Sequence, residues 1–426
     1  MPLKTLFRLA TLLALSWLGL AGCTRVEAQP PGTPVPMSYF GLHAHRLVLH
    51  VPSGTNGILQ SPWPSFPFGS LRLWDAYVTW PHLQPERNRW NFSTLDQHVG
   101  LAAQKGIRLV VPLGLSPAWA SARPEEKSNY APGNAAEPAS LDDWRLYVRI
   151  VAERYKGRVE AYELWNEVNY KGFYSGDLTS LVTLARIAHE EVKRVDPAAL
   201  MLSPSFTGSK GPEWLDRYLT LGGDRYADVI SYHFYTPEHS PEAIFPVVQQ
   251  VRAVLRKHGL QNKPLWNSET GWWLTNLVPT PRMGAAAATW LELDQQTSAA
   301  FVARAFLLGW AAGLDRYYWY AWDNRDMGLY DVNVRAEKPA SKAYAQVVRW
   351  MAGNTMKECT QNQSIWICTL YNAQGKRLNI VWQEGEVPRK WEVPADWSGI
   401  TVERLSGETA PNSGTVELSS SPVLIR

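Results

Sequence analysis

From residue 38 to about 350 the chain alternates short apolar runs with longer amphipathic ones. The short runs, read as strands, are Tyr39–Leu42, Ser70–Trp74, Arg108–Leu113, Val159–Trp165, Leu200–Ser203, Val229–Tyr232, Pro264–Asn267 and Arg316–Trp322. Between them the apolar positions repeat at helical spacing. Leu95, Val99 and Ala102 share one face, and Leu141, Trp144, Val148 and Val151 share another. Leu178–Val195, Pro241–His258, Thr297–Gly313 and Ser341–Met351 behave likewise. Strands that alternate with helices must pair in parallel, and eight such units close into a (β/α)8 TIM barrel. An open doubly wound sheet would carry a glycine-rich phosphate loop after its first strand; Gly41-Leu42-His43-Ala44-His45 is not one.

After residue 352 the period changes. Residues 357–426 alternate apolar and polar positions in short runs, split by turn sequences such as Asn-Ala-Gln-Gly and Asp-Trp-Ser-Gly. This predicts an antiparallel, sandwich-like β-module over 353–426, behind a barrel spanning 38–352. The segment before the barrel has a different character. Lys4 and Arg8 precede an apolar run from Leu9 to Leu20, too short to span a bilayer comfortably, which ends in Leu20-Ala21-Gly22-Cys23. Residues 1–23 therefore read as a lipoprotein signal with Cys23 as the lipidated residue, and the proline-rich 24–37 as a tether. The alternative is an ordinary secretory peptide cut after Val26-Glu27-Ala28. Either reading exports the chain to an oxidising compartment, where Cys359 and Cys368, on either side of a turn, are placed to form a disulfide.

Composition adds two constraints. A net charge of +3 is too small for a nucleic-acid partner. Twenty-one Trp and 18 Tyr exceed what a core of this size needs, and flat rings suit the C–H faces of sugars. The chemistry then turns on two glutamates. Glu167 ends Tyr162-Glu163-Leu164-Trp165-Asn166-Glu167 on the fourth strand, and Glu269 ends Trp266-Asn267-Ser268-Glu269 on the seventh. Strand alternation would put Glu163, Trp165 and Glu167 on one side, with Glu163 deeper in the barrel. A buried carboxylate needs a partner, and Arg72, inward on the second strand, is the candidate.

With these residues the chain resembles the four/seven superfamily of retaining glycosidases built on (β/α)8 barrels, and is most similar to glycoside hydrolase family 39. The similarity rests on Trp165-Asn166-Glu167, the strand-seven Glu269, Arg72-Leu73-Trp74-Asp75, Trp80 to Phe92, Ser116-Pro117-Ala118-Trp119-Ala120 and Ser231-Tyr232-His233-Phe234-Tyr235. One departure is Val168, where the family usually has proline. The resemblance implies Glu167 as acid/base and Glu269 as nucleophile, acting by double displacement without a cofactor or metal. It further implies Asn166 on the sugar 2-hydroxyl, Arg72 and Tyr235 beside the nucleophile, His43 and His233 near the sugar or the acid, and Trp322 as the floor beneath the ring. Trp119 and Trp272 are candidate sugar platforms further out. The expected substrate is a polysaccharide, in particular a bacterial exopolysaccharide cut internally by a monomeric, membrane-anchored enzyme in the periplasm or at the outer membrane, beside the polysaccharide's synthesis machinery. Two other readings stand. His43-Ala44-His45, with His233 and Asp323, would make a metal-dependent amidohydrolase, although strand four lacks the lysine and strand five the histidine such a site needs. A non-catalytic glycan-binding lipoprotein is the other.

Overall fold

The computed structural model describes residues 30–49, 60–280, 289–385, 387–397, 401–411 and 413–426. Cys23 and most of the segment before the barrel lie outside the described residues. Eight parallel strands form the inner sheet: β1 (Phe40–His43), β2 (Ser70–Arg72), β3 (Arg108–Leu113), β4 (Ala161–Leu164), β5 (Leu200–Leu202), β6 (Ile230–His233), β7 (Leu265–Thr270) and β8 (Arg316–Trp319). Each pairs in parallel with its neighbours, and β8 returns to β1 with Phe40 opposite Tyr317. The ring closes at β5, which pairs with β4 on one side and reaches β6 through the Leu202–Val229 bridge. Pro204 has no N–H to give the ladder and interrupts the fifth strand; the chain resumes pairing with β6 at Phe206–Thr207.

Among the described residues, seven helices of ten or more residues follow the strands from β2 onward: α1 (Ser93–Lys105), α2 (Leu141–Tyr155), α3 (Leu178–Val195), α4 (Gly211–Thr220), α5 (Ile244–Lys257), α6 (Gln295–Ala311) and α7 (Pro339–Met351). Their starts follow capping chemistry. The side chains of Ser140, Asp177 and Asp294 accept from the amides of Asp143, Ser180 and Thr297. Asp294 thus starts α6 two residues before the apolar periodicity suggests. Helix α4, absent from the elements read in the sequence, buries Leu215, Tyr218 and Leu219 along one face and begins at Gly211-Pro212-Glu213, with proline in its first turn.

The barrel interior has two levels. Val110, Ala161, Leu202, Val229, Trp266 and Tyr318 form an apolar plug. Above it, towards the C-terminal strand ends, the inward positions become polar: His43, Arg72, Glu163, Ser231 and Ser268, all fully buried. Outward residues such as Tyr162 and Leu164 pack beneath the helices in the main core.

The tail forms strands β9 (Thr355–Asn362), β10 (Ile365–Tyr371), β11 (Arg377–Gln383), β12 (Arg389–Glu392), β13 (Thr401–Arg404), β14 (Thr409–Pro411), β15 (Thr415–Leu418) and β16 (Val423–Ile425). They make a six-stranded sheet ordered β9-β10-β11-β16-β13-β14 and a separate β12–β15 pair. Pro34 bridges to Thr355, which ties the chain before the barrel to this module. Cys359 and Cys368 face each other across β9 and β10 and are joined by a disulfide. The module packs on the barrel through Trp366, stacked on Phe245, and Trp382, whose indole donates to Glu242 at 3.0 Å.

Candidate active site

The polar upper level of the barrel is organised by one cation. Arg72, fully buried on β2, spreads its guanidinium across three acceptors. Nε donates to Glu163 Oε2 at 2.5 Å, Nη1 to Glu269 Oε2 at 2.9 Å, and Nη2 to Asn166 Oδ1 at 2.7 Å. Glu163 is completed by Ser231, whose hydroxyl donates to its other oxygen at 2.5 Å and lies 2.6 Å from the Ser268 hydroxyl. Glu163 is fully buried within this network and has no path to a ligand. Its place below the pocket follows from strand parity.

Glu167 and Glu269 stand above it, with 12% and 9% of their side chains exposed. Both therefore present their tips to the cavity. His233 Nδ1 lies 2.9 Å from Glu167 Oε1 and 3.9 Å from Glu269 Oε1, and an oxygen from each carboxylate and this nitrogen all fall within 4.8 Å of one another. Tyr235 donates to Glu269 Oε1 at 2.9 Å. The environments of the two acids differ. Burial pushes Glu167 well above the usual carboxylate range, Glu269 and Asp75 push it further, and Arg72 opposes them from a distance. Burial also raises Glu269, to about 7, with Asp75 and Glu163 adding to the rise; direct contacts from Arg72 and Tyr235 hold it down. Glu167 is thus the stronger proton holder and Glu269 the one poised to ionise. Burial, reinforced by Arg72, keeps both His43 and His233 neutral.

Local backbone explains why these side chains converge. Strand β4 stops at Leu164, and Trp165 and Glu167 take left-handed conformations, φ 56° and 44°. The pleat therefore ends where the sequence reading let it continue. Trp165, expected beside Glu167, turns outward onto Trp144 and Tyr174, while Asn166 turns in to Arg72. The amide of Glu167 donates to Ser205 Oγ at 3.0 Å, which anchors this turn.

Two aromatic candidates, Trp322 and Trp272, are corrected by their burial, and a third, Trp119, is half-buried with contacts of its own. Trp322 is fully buried, stacks on Tyr330 and donates to the Pro62 carbonyl. Strand β8 ends at Trp319, so alternation does not carry to residue 322. Tyr320 instead turns to the inner side, its ring 5.2 Å from that of His43 and its hydroxyl donating to Asp75 at 2.7 Å. Trp272 is buried against Trp319 and Phe301, and its indole donates to the carbonyls of Thr236 and His239. Trp119 has one face covered by the Arg87 guanidinium, 4.6 Å away, and its N–H on the Gln84 carbonyl.

The amidohydrolase arrangement is not assembled. His43 Nε2 bonds the Ser268 carbonyl, and Asp323 is occupied by the backbone amides of His45 and Arg46. The one histidine and carboxylate group close enough to share an ion among the described residues is Glu167, His233 and Glu269.

A cavity of about 1200 Å3 opens beside the two acids and continues past Tyr170 and Trp290 towards Gln250. Trp290 stacks on Tyr235 with ring centroids 6.0 Å apart. Asn129 and Trp290, from the long segments 116–140 and 272–296, line this cavity. The sequence names Asp75 only within the Arg72-Leu73-Trp74-Asp75 segment, with no role, and does not single out Tyr130, Tyr170 or Tyr320.

A (β/α)8 barrel with paired carboxylates at the ends of strands four and seven defines a glycoside hydrolase. The chain belongs to the glycosyl hydrolases family 39, whose model matches residues 77–303, more than half its length. In fold it is similar to a family 39 glycoside hydrolase from the gut symbiont Bacteroides cellulosilyticus WH2, at 19% identity and a TM-score of 0.67, over 84% of this chain and 75% of that one. It is also similar to a glucosidase from Croceicoccus marinus, at 16% identity and a TM-score of 0.63, over 94% and 97% of the two chains. A stretch of 108 residues is 35% identical to beta-galactosidase LacZ of Heyndrickxia coagulans, covering 22% of this chain and 16% of that protein. The chain thus spans only a small part of that relative's length.

Proposed function

We propose that this protein is a retaining glycosidase that cuts a bacterial exopolysaccharide internally, with Glu269 as nucleophile and Glu167 as acid/base. The observation that carries this reading is the pair itself: an oxygen of each acid within 4.8 Å of the other, with His233 between them. Such closeness supports a double displacement, in which carboxyls stand about 5–5.5 Å apart, over an inverting reaction, which needs roughly 6.5–9.5 Å for its water.

The steps follow from the contacts. Glu269, held ionised by Arg72 and Tyr235, attacks the anomeric carbon as Glu167 gives its proton to the departing glycosidic oxygen. A covalent glycosyl–Glu269 ester forms. Glu167, now a carboxylate, takes a proton from water, and the resulting hydroxide attacks the same carbon and releases Glu269 with net retention. Asn166, fixed through Oδ1 by Arg72, keeps its amide N–H groups for a sugar hydroxyl.

The cavity is larger than the roughly 300–1,000 Å3 of an ordinary small-ligand site, which supports a substrate of several sugar units. Asn129 and Trp290 on its wall come from two long segments, which supports internal cleavage. The lipoprotein sequence ending at Cys23 supports export and anchoring at the cell envelope, where exopolysaccharide is made and turned over. The test is release of reducing ends from purified exopolysaccharides by wild type, Glu167→Gln and Glu269→Gln, with products sized by mass spectrometry and the first-formed anomer read by NMR. The expectation is oligosaccharides of retained configuration from wild type alone. Equal activity in all three proteins, or an inverted first product, sinks the mechanism; monosaccharide alone sinks internal cleavage.

A further inference from the structure

Four aromatic side chains line the cavity beside the two acids: Tyr170, Phe173, Tyr235 and Trp290. Three of them are engaged. Phe173 packs against Trp74 and Tyr130, Tyr235 donates to Glu269, and Trp290 lies against both Tyr235 and Trp273. Tyr170 differs. It is 48% exposed, and among the described residues its ring meets no other ring and its hydroxyl makes no hydrogen bond. An exposed tyrosine is ordinary on an open surface, but this one is held in place. Asn169 Nδ2 donates to the Thr207 carbonyl at 2.9 Å, and the Thr207 amide donates to Asn169 Oδ1 at 3.0 Å. The loop after β4 is thereby clipped to the segment after β5. The amides of Glu167 and Val168 add two more clips, to the hydroxyl and carbonyl of Ser205. The Tyr170 amide donates to the Glu167 carbonyl at 2.9 Å, and the side chain lies over Gly208, where a Cβ would stand 2.8 Å from its hydroxyl oxygen.

We propose that Tyr170 is the platform for the sugar on the leaving side of the bond that is cut, and so a determinant of which glycan the enzyme takes. This rests on the glycosidase reading given above. Glu167 gives its proton to the departing oxygen, so the departing sugar lies on the Glu167 side of that bond. Three residues on, the chain that carries Glu167 presents Tyr170 on the wall of the same cavity, with a ring that nothing else covers. A pyranose with an unsubstituted C–H face fits such a ring, and its hydroxyls remain free for the Tyr170 hydroxyl. The same place receives an acceptor in the second half of the reaction. There a sugar hydroxyl replaces water: Glu167 takes its proton, its oxygen bonds to the anomeric carbon, and Glu269 leaves as a carboxylate. A held tyrosine on the leaving side therefore favours transfer to sugar over hydrolysis.

The test compares wild type, Tyr170→Ala and Tyr170→Phe on an oligosaccharide that wild type cleaves and on the glycosyl fluoride of the same glycone, whose leaving group is a single ion. Tyr170→Ala should lose about 10-fold more kcat/KM on the oligosaccharide than on the fluoride, the scale of one aromatic contact. With added oligosaccharide as acceptor, its ratio of transfer to hydrolysis should fall by a similar factor. Tyr170→Phe keeps the ring and should retain most of both. Thermal unfolding checks that each variant is folded. Equal losses on both substrates, or an unchanged transfer ratio in folded Tyr170→Ala, overturn the proposal. So does a Tyr170→Phe enzyme as impaired as Tyr170→Ala. If wild type cleaves no glycan, the glycosidase reading falls, and calorimetry with oligosaccharides from partial acid hydrolysis of purified exopolysaccharides decides Tyr170 by itself. Binding about 10-fold weaker in Tyr170→Ala upholds the platform; equal affinity overturns it.

Discussion

Arg72 Nη1 lies 2.9 Å from Glu269 Oε2 in a site where Arg72 has no solvent exposure at all. This ion pair joins the inner wall of the barrel to the cavity. The same guanidinium neutralises Glu163 below and orients Asn166 to the side. Structure and proposed chemistry thus depend on one side chain.

Replacing Arg72 by Met is expected to be costly on both counts. Glu163 would remain buried with Ser231 as its remaining donor, and breaking a buried pair in this way costs about 3–5 kcal/mol. Urea unfolding should show that loss, and activity should fall with it. A variant of unchanged stability would mean that Arg72 is not the partner Glu163 requires.

Glu269 makes a pH-dependent contribution whose sign can be worked out. Its threshold rises from 4.5 to about 7 on folding, so the folded chain binds the proton more tightly than the unfolded chain. Between those values stability falls as pH rises, by a total on the order of 3 kcal/mol, and the deficit persists above pH 7. Glu269→Gln should therefore unfold at higher temperature than wild type at pH 8 and lose this advantage near pH 4. A lower melting temperature at pH 8 contradicts the assignment. In catalysis the same group should give the acid limb of kcat/KM, with activity rising as pH passes about 7.

Trp290 lines the cavity and stacks on Tyr235. Trp290→Ala should raise KM for an oligosaccharide roughly 5–10-fold, the scale of one lost aromatic contact, while kcat for a small activated glycoside changes little. Equal losses on both substrates would place Trp290 in the cleavage step itself.

The Cys359–Cys368 disulfide closes a short loop, with a sequence separation of 9, between strands far from the cavity. Chain entropy predicts that Cys359→Ser with Cys368→Ser costs roughly 2–3 kcal/mol. Differential scanning calorimetry with and without reductant should show the wild type falling to the level of the variant. Glycosidase activity at 25 °C should survive in both.

The sequence was most legible where one local rule dominates. Helices α2 and α3 run over the same residues as their apolar periodicity, because Ser140 and Asp177 cap them where that periodicity begins. Strand β3 also matches its apolar run, being buried on both faces. Reading faltered where two rules compete. The β4 sequence supports alternation to Glu167, yet left-handed turns at Trp165 and Glu167 end it at Leu164. Past β8 the same false extension put Trp322 where Tyr320 stands.

By itself the sequence determined the eight-unit alternation, the antiparallel tail, the two glutamates at strand ends, and Arg72 as the inward cation. Each is a consequence of periodicity or of the need to pair a buried charge, and both are local or nearly so. Only the tertiary structure decided which tryptophans pack rather than bind, which acid holds its proton more tightly, and that Asp75 meets Tyr130 and Tyr320. Those outcomes depend on groups 55 and 245 residues apart in the chain reaching one carboxylate, and a one-dimensional pattern carries no record of such distances.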